Sequence, residues 1–271
     1  MTDKYAVIGN PISHSKSPQI HAAFAKQTNQ DMAYEAILAP LDGFENTIKD
    51  LIARGYKGAN VTVPFKFEAF RISSQNTLTA IADYTRVVNT LKIENSVIAV
   101  GDNTDGLGLI FDLKQNLGVT IKDKKVLLIG AGGAANGVMP SLFLQEPKVL
   151  TVVNRTIEKA EQLKKHHQRQ WQKSDMNDWK VITANASSTD GVVVGTFDSL
   201  QNQIFDIVIN ATSTGLTDTA LPIPNMIFGK NCLAYEMVYG RETPFMAQAR
   251  AAGAQVSDGL GMLVEQAAQS F

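Results

Sequence analysis

Residues 125–155, KVLLIGAGGAANGVMPSLFLQEPKVLTVVNR, decide the fold. The apolar run from Val126 to Ile129 predicts a buried strand, and Gly130, Gly132 and Gly133 predict a sharp turn behind it. A helical segment then continues to about Gln145, and Val149 to Val153 forms a second apolar run. Gly130-x-Gly132-x-x-Ala135 fits the dinucleotide fingerprint G-x-G-x-x-G/A. The first glycine permits the turn, the second lets backbone approach a pyrophosphate, and Ala135 lets the helix pack closely on the strand. The free N–H groups of the helix start face the phosphates.

The second strand ends in Asn154-Arg155-Thr156, about 25 residues after Gly130. An NAD-binding chain carries an acidic residue there for the ribose hydroxyls. An arginine flanked by amide and hydroxyl groups, with Lys159 one turn later, suits a 2′-phosphate instead, because the guanidinium fork matches phosphate oxygens. The pattern selects NADP over NAD.

The chain has 271 residues, enough for one large or two modest domains, with 25 basic and 26 acidic side chains. Near-cancelling charge argues against a nucleic-acid or membrane-surface partner. Cys232 is the single cysteine, so no internal disulfide forms. The N-terminus lacks the layout of a signal peptide, and no apolar run approaches the roughly 20 residues that cross a bilayer. A soluble, cytoplasmic protein is expected.

Tyr5 to Ile8 predicts a strand entering the turn Gly9-Asn10-Pro11, followed by a hydroxyl-rich loop, Ser13 to Ser17. Ser17 before Pro18 reads as a helix cap for Gln19 to Gln27, which leaves Ser15 without a structural explanation. Tyr34–Leu38, Gly58–Pro64, Val87–Leu91 and Val97–Val100 read as strands, and Leu41–Arg54, Thr79–Asp83 and Leu107–Leu117 as helices. Beyond Arg155, a charged helix covers Glu158–Gln168, and Gln170–Ser188 is polar and poorly periodic. Phe205–Asn210, Cys232–Val238 and Gln255–Ser257 read as strands, and Thr243–Ala252 and Met262–Ser270 as helices. Alternating strands and helices predict an α/β fold of two domains.

Reduction of a carbonyl by a nicotinamide enzyme needs a proton donor as the hydride arrives. Lys66 follows a strand and a proline, and Asp105 sits in a turn at the domain boundary. If they converge, the carboxylate orients the ammonium for proton exchange; spacing alone equally allows a solvated surface lysine. The four histidines show no metal-ligand spacing, so no metal is expected.

Eight blocks together resemble the shikimate dehydrogenase family, in that family's order: Ser15-Lys16-Ser17-Pro18, Asn60 to Lys66, Val88 to Leu91, Asn103 to Gly106, Gly130 to Ala134, Asn154 to Thr156, Asn210 to Ser213, and Asp258 to Ala267. The resemblance implies NADPH-dependent, reversible reduction of 3-dehydroshikimate to shikimate in aromatic amino acid biosynthesis. It implies an N-terminal α/β substrate domain (1–104), a Rossmann-type NADP domain (105–242) and C-terminal helices (243–271) that return to the first domain. Lys66 and Asp105 would be the catalytic pair. Ser15, Ser17 and Tyr239 would hold the substrate carboxylate, and Thr62, Asn89, Asp105 and Gln266 its ring hydroxyls. Gly130, Ala131, Gly132, Gly133 and Ala134 would cradle the pyrophosphate, and Asn154, Arg155, Thr156 and Lys159 the adenosine phosphate. Thr212, Ser213 and Gly215 would line the adenine side. Val238 would also contact the cofactor, with Gly259 and Met262 near the nicotinamide. A monomer or homodimer is expected.

The chain departs from the family at Phe67, where glutamate is usual, with Glu68 one place later. Arg86-Val87 replaces small residues, Glu236 replaces an aspartate, the region from His167 to about Thr196 is long, and family members commonly continue past Phe271. Two other readings stand beside the first: a quinate/shikimate dehydrogenase of broader specificity, and a non-catalytic NADP-binding sensor.

Overall fold

The computed structural model describes residues 2–173 and 191–271. Most of the polar stretch that periodicity left unassigned, residues 174–190, lies outside the described residues. The chain divides into two compact units, residues Met1–Gly108 with Leu263–Phe271, and residues Leu109–Met262.

The first unit is built on β1 (Asp3–Gly9), α1 (Ser17–Thr28), β2 (Met32–Leu38), α2 (Phe44–Ala53), β3 (Gly58–Val61), α3 (Lys66–Ser73), β4 (Thr77–Leu78), α4 (Ala80–Thr85), β5 (Thr90–Glu94) and β6 (Val97–Asp102). Its six strands lie in the order β2-β1-β3-β5-β6-β4. β1 runs parallel to β2 and β3, while β5 is antiparallel to both β3 and β6. Ala6, Ile8 and Val61 from the sheet pack with Phe44, Ile48 and Leu51 of α2, and Phe65 stacks on Phe44 at 4.9 Å. The proline at 64 ends β3, and the chain turns at once into α3, so Lys66 opens a helix where the sequence suggested a strand's end.

The second unit begins in α5 (Asp105–Phe111), which bridges the boundary and runs into a π-helical turn, Asp112–Asn116. It continues with β7 (Lys125–Ile129), α6 (Gly133–Phe143), β8 (Val149–Val153), α7 (Ile157–Lys173), β9 (Val192–Gly195), β10 (Phe205–Asn210), β11 (Phe228–Glu236), α8 (Pro244–Ala251), β12 (Gln255–Ser257) and the start of α9 (Leu260–Ser270). All six strands are parallel, ordered β12-β11-β10-β7-β8-β9. That is the doubly wound arrangement, with the order reversing between β7 and β10. Both faces of β7 are covered: Val126 and Leu128 join one core, Leu127 and Ile129 the other. A strand buried on two faces is apolar without alternation, which is why the run Val126–Ile129 is continuous.

Two boundaries differ from the expectation. The first crossing lies at Gly108, beyond the expected 104. Residues 243–262, expected on the first domain, belong to the second, because α8 is the crossover between β11 and β12 and β12 hydrogen-bonds to β11. Only Leu263–Phe271 groups with the first unit. Near both crossings, Asp112 is buried and accepts hydrogen bonds from the Tyr235 hydroxyl at 2.5 Å and the Asn116 amide at 2.8 Å. A side chain at Gly261 would overlap the Asp112 carboxylate. Among the described residues, no helix is long and apolar enough to cross a membrane.

Candidate active site

In the first unit, β3 and its continuation carry Thr62 and Lys66, the loop before β5 carries Asn89, the end of β6 leads into Thr104 and Asp105, and α9 carries Gln266. The antiparallel β3–β5 and β5–β6 pairs draw these segments together. Val61 N–H donates to the Asn89 carbonyl, Val88 N–H to the Lys66 carbonyl, and Asn89 N–H to the Asp102 carbonyl. Lys66 Nζ lies 2.5 Å from Asp105 Oδ2, with 13% and 6% of the two side chains exposed. Such a pair is shielded from bulk water, so the carboxylate restricts where the ammonium points.

The other Asp105 oxygen accepts from Asn89 Nδ2 at 2.9 Å. The same nitrogen stands 3.0 Å from Thr104 Oγ1 and 3.2 Å from Gln266 Oε1, so its two hydrogens are shared among three acceptors, while Asn89 Oδ1 accepts from Thr104 N–H at 3.0 Å. Asp105 N–H donates in turn to Asn103 Oδ1 at 3.2 Å. Lys66, Asn89, Asp105 and Gln266 thus form one cluster. Thr104 completes it; it lies inside the Asn103 to Gly106 block, but without its neighbours' geometry no site role could be assigned to it.

Ser15 and Ser17 stand on the loop after β1, and Thr62 follows the adjacent β3. Asn10 N–H donates to the Val63 carbonyl at 2.9 Å, which joins these two loops. The capping assignment is reversed. Lys16 occupies the cap of α1 without a side-chain bond, Ser17 is the first helical residue, and it is Ser15 Oγ that accepts Ser17 N–H, at 3.3 Å. Ser15 therefore has a structural role, and it is the Ser17 hydroxyl that makes no hydrogen bond among the described residues. Tyr239 lies in the second unit, just after β11.

In the second unit, Gly130 takes φ +114°, and a Cβ there would press on Thr212 and the Ala211 carbonyl, at the reversal point between β7 and β10. Gly132 faces open space within 4 Å of where a Cβ would stand. No side chain caps α6, so the N–H groups around Gly133 and Ala134 are available to a phosphate. The buried Asn136 holds the turn from behind, donating to the carbonyls of Gly132 (2.9 Å) and Ala131 (3.3 Å). It too was missed, although a polar residue on a wholly buried helix face is a detectable sign.

Asn154 donates to the Thr156 carbonyl at 2.8 Å, shaping the turn that exposes Arg155 and Lys159. Neither cation has an acidic partner among the described residues. Thr212 bonds Asn210 Oδ1 at 2.7 Å, and Asn210 donates to Glu236 at 2.8 Å. Glu236 is fully buried and also accepts from Val238 N–H (3.1 Å) and Thr243 Oγ1 (2.9 Å). Burial raises its carboxyl pKa against the pull of these donors. The glutamate thereby ties the loop holding Thr212 and Ser213 to the one holding Val238. Gly215 packs under Val238 and Thr243, and a side chain at Gly259 would overlap the Met237 carbonyl. Met262 is buried in the core beside Tyr235. The open Gly132, the uncapped helix and the two unpaired cations fit a dinucleotide with an additional phosphate.

Residues 7–91 match the family model described as shikimate dehydrogenase substrate binding domain, and residues 112–206 match shikimate / quinate 5-dehydrogenase. A shikimate dehydrogenase (NADP(+)) of Methylobacillus flagellatus is 49% identical over 270 residues, 99% of this chain and 92% of the relative. The chain belongs to the shikimate dehydrogenase family.

Among solved structures, an Ael1 enzyme of Pseudomonas putida aligns with a TM-score of 0.82 at 39% identity, covering 100% of this chain and 92% of that one. Shikimate 5-dehydrogenase of Thermus thermophilus, solved with NADP(H) and shikimate, aligns at 0.80 with 28% identity and the same coverage. Three departures from the usual shikimate dehydrogenase pattern have local explanations. Phe67 is 45% exposed on α3, and Glu68 forms an ion pair with Arg71 at 3.6 Å. Arg86 ends α4 in a left-handed conformation, its guanidinium 5.1 Å from the Phe70 ring centre. Glu236 makes the buried network described above.

Proposed function

We propose that this enzyme interconverts 3-dehydroshikimate and shikimate with NADP as its cofactor, in the cytoplasm, as a monomer or homodimer. The single observation that carries the reading is the Lys66–Asp105 pair at 2.5 Å, held by Asn89 in a largely water-excluded cluster. The cofactor, when bound, supplies the hydride. Lys66 gives a proton to the carbonyl oxygen as it becomes a hydroxyl, and takes one back in the reverse direction. Asp105 fixes the direction of the ammonium, and Asn89, donating to the Asp105 oxygen that Lys66 does not use, keeps the carboxylate from rotating. Thr62, Asn89, Asp105 and Gln266 contact the ring hydroxyls.

Ser15 and Ser17, with Tyr239, receive the substrate carboxylate. Support for Ser17 comes from its hydroxyl, which no hydrogen bond among the described residues uses. Gly130 to Ala134 hold the pyrophosphate, with Thr212, Ser213 and Gly215 on the adenine side and Val238, Gly259 and Met262 toward the nicotinamide. Arg155, helped by Asn154, Thr156 and Lys159, takes the 2′-phosphate, with the guanidinium matching its oxygens bidentately.

Initial rates with shikimate and with quinate, each with NADP and with NAD, test the proposal. Fast oxidation of shikimate with NADP and little turnover in the other three combinations is the expected outcome. Comparable rates with quinate would assign the broader specificity, and no turnover with any combination would leave only a nucleotide-binding role.

A further inference from the structure

Behind the Lys66–Asp105 pair runs a chain of hydrogen bonds that leads out to β2. Tyr34 donates its hydroxyl proton to Asn60 Oδ1 at 2.6 Å. Asn60 Nδ2 faces the Asn89 carbonyl at 3.4 Å and Thr90 Oγ1 at 3.1 Å. A carbonyl only accepts, so the amide nitrogen must be on that side and the amide oxygen toward Tyr34. Thr90 Oγ1 already receives Asn60's proton, so its own goes to Asn89 Oδ1, at 2.8 Å. Asn89 then turns its nitrogen to Asp105 Oδ1, which leaves Oδ2 for Lys66. Every bond in this series has one direction, and two backbone groups support it: the Asn89 carbonyl holds the Asn60 nitrogen, and Thr104 N–H donates to Asn89 Oδ1 beside Thr90.

The outer end is anchored by a buried histidine. His21 of α1 stacks on the Tyr34 ring at 4.0 Å with the planes 7° apart, and its Nε2 has no hydrogen-bond partner among the described residues. Burial raises the pKa of the Tyr34 hydroxyl, so it keeps the proton that it donates.

We infer that Tyr34 and Asn60 are positioning residues for the proton-transferring pair: the Tyr34 hydroxyl, with the Asn89 carbonyl, holds the Asn60 amide, and through Thr90 and Asn89 that orientation adds to the hold of Thr104 N–H on the geometry of the Asp105 carboxylate. The inference rests on the function proposed above. With Tyr34→Phe, Asn60 Oδ1 loses its donor and the amide is held only through its nitrogen, by the Asn89 carbonyl and Thr90 Oγ1, so the bond that Thr90 makes to Asn89 loosens. One neutral hydrogen bond lost from the series corresponds to about fivefold in rate.

The test measures kcat and the KM for NADPH in Tyr34→Phe, Thr90→Val, the double variant and Thr90→Ser. It adds hydrogen-exchange protection of the Asn89 side-chain amide by NMR. The expected result is a kcat about fivefold lower in each single variant, with the NADPH KM within twofold. The double variant falls no further than either single one, because the two bonds act in series. Thr90→Ser regains at least half of what Thr90→Val loses, and protection at Asn89 drops in Tyr34→Phe. An unchanged kcat in Tyr34→Phe, additive losses in the double variant, or undiminished Asn89 protection each overturns the inference. Wild-type enzyme inactive on every substrate rejects the proposed function instead, and Asn89 protection, which needs no turnover, still decides the relay.

Discussion

His21 makes stability depend on acidity in a way that can be calculated. Its ring is 3% exposed among Tyr34, Phe24 and Phe271, and burial lowers its pKa from the ordinary 6.5 to about 4. Between these values the unfolded chain binds a proton at this site and the folded chain does not. Stability contributed by the neutral ring is therefore complete above about pH 6.5 and is lost as pH falls toward 4. Each unit between the two pKa values is worth about 1.4 kcal/mol, so lowering the pH from 7 to 5 costs about 2 kcal/mol at this residue. His21→Leu removes the titration at nearly constant volume. Urea unfolding followed by circular dichroism, at pH 7 and pH 5 for both proteins, isolates the effect, because every other titrating group cancels in the comparison. The wild type loses about 2 kcal/mol more than the variant. Equal losses would show that the imidazole is already protonated, or reached by water, in the folded state.

Lys66→Ala lowers kcat at least ~100-fold, the low end for lost acid–base help, with NADP affinity near wild type by fluorescence titration; an unchanged kcat would reject the role of Lys66. Arg155→Ala raises the KM for NADPH and leaves that for NADH nearly as it was, so an unaltered NADPH/NADH preference in steady-state assays would contradict the phosphate contact. Gly261→Ala forces a methyl group onto the buried Asp112 carboxylate and destabilises the second unit by about 2 kcal/mol, seen as a lower thermal midpoint by tryptophan fluorescence. A midpoint equal to wild type would mean that Asp112 moves aside without breaking its bond to Tyr235.

Much of the second unit was legible locally. The continuous apolar runs, the glycines of the turn and the arginine after β8 sit within 31 consecutive residues, and each reports on its own neighbourhood. β9 was missed because Val192–Gly195 is a four-residue strand next to a polar stretch, too short to show a period. Helix α3 was missed because Val63-Pro64-Phe65 reads as the end of a strand and the eight residues from Lys66 have little amphipathic contrast.

By itself, the sequence determined the two-domain α/β class, the strand–glycine-turn–helix unit with an arginine at the end of its second strand and, through its ordered motifs, the family. Only the tertiary structure decided that Lys66 meets Asp105 39 residues away, that Asn89 reaches Gln266 across 177, and that α8 and β12 complete the second sheet. The physical reason is one of range. Turns and strands follow from forces between near neighbours in the chain, whereas the partner of a buried charge is chosen by which strands lie side by side, and that order is set by the packing of the whole sheet.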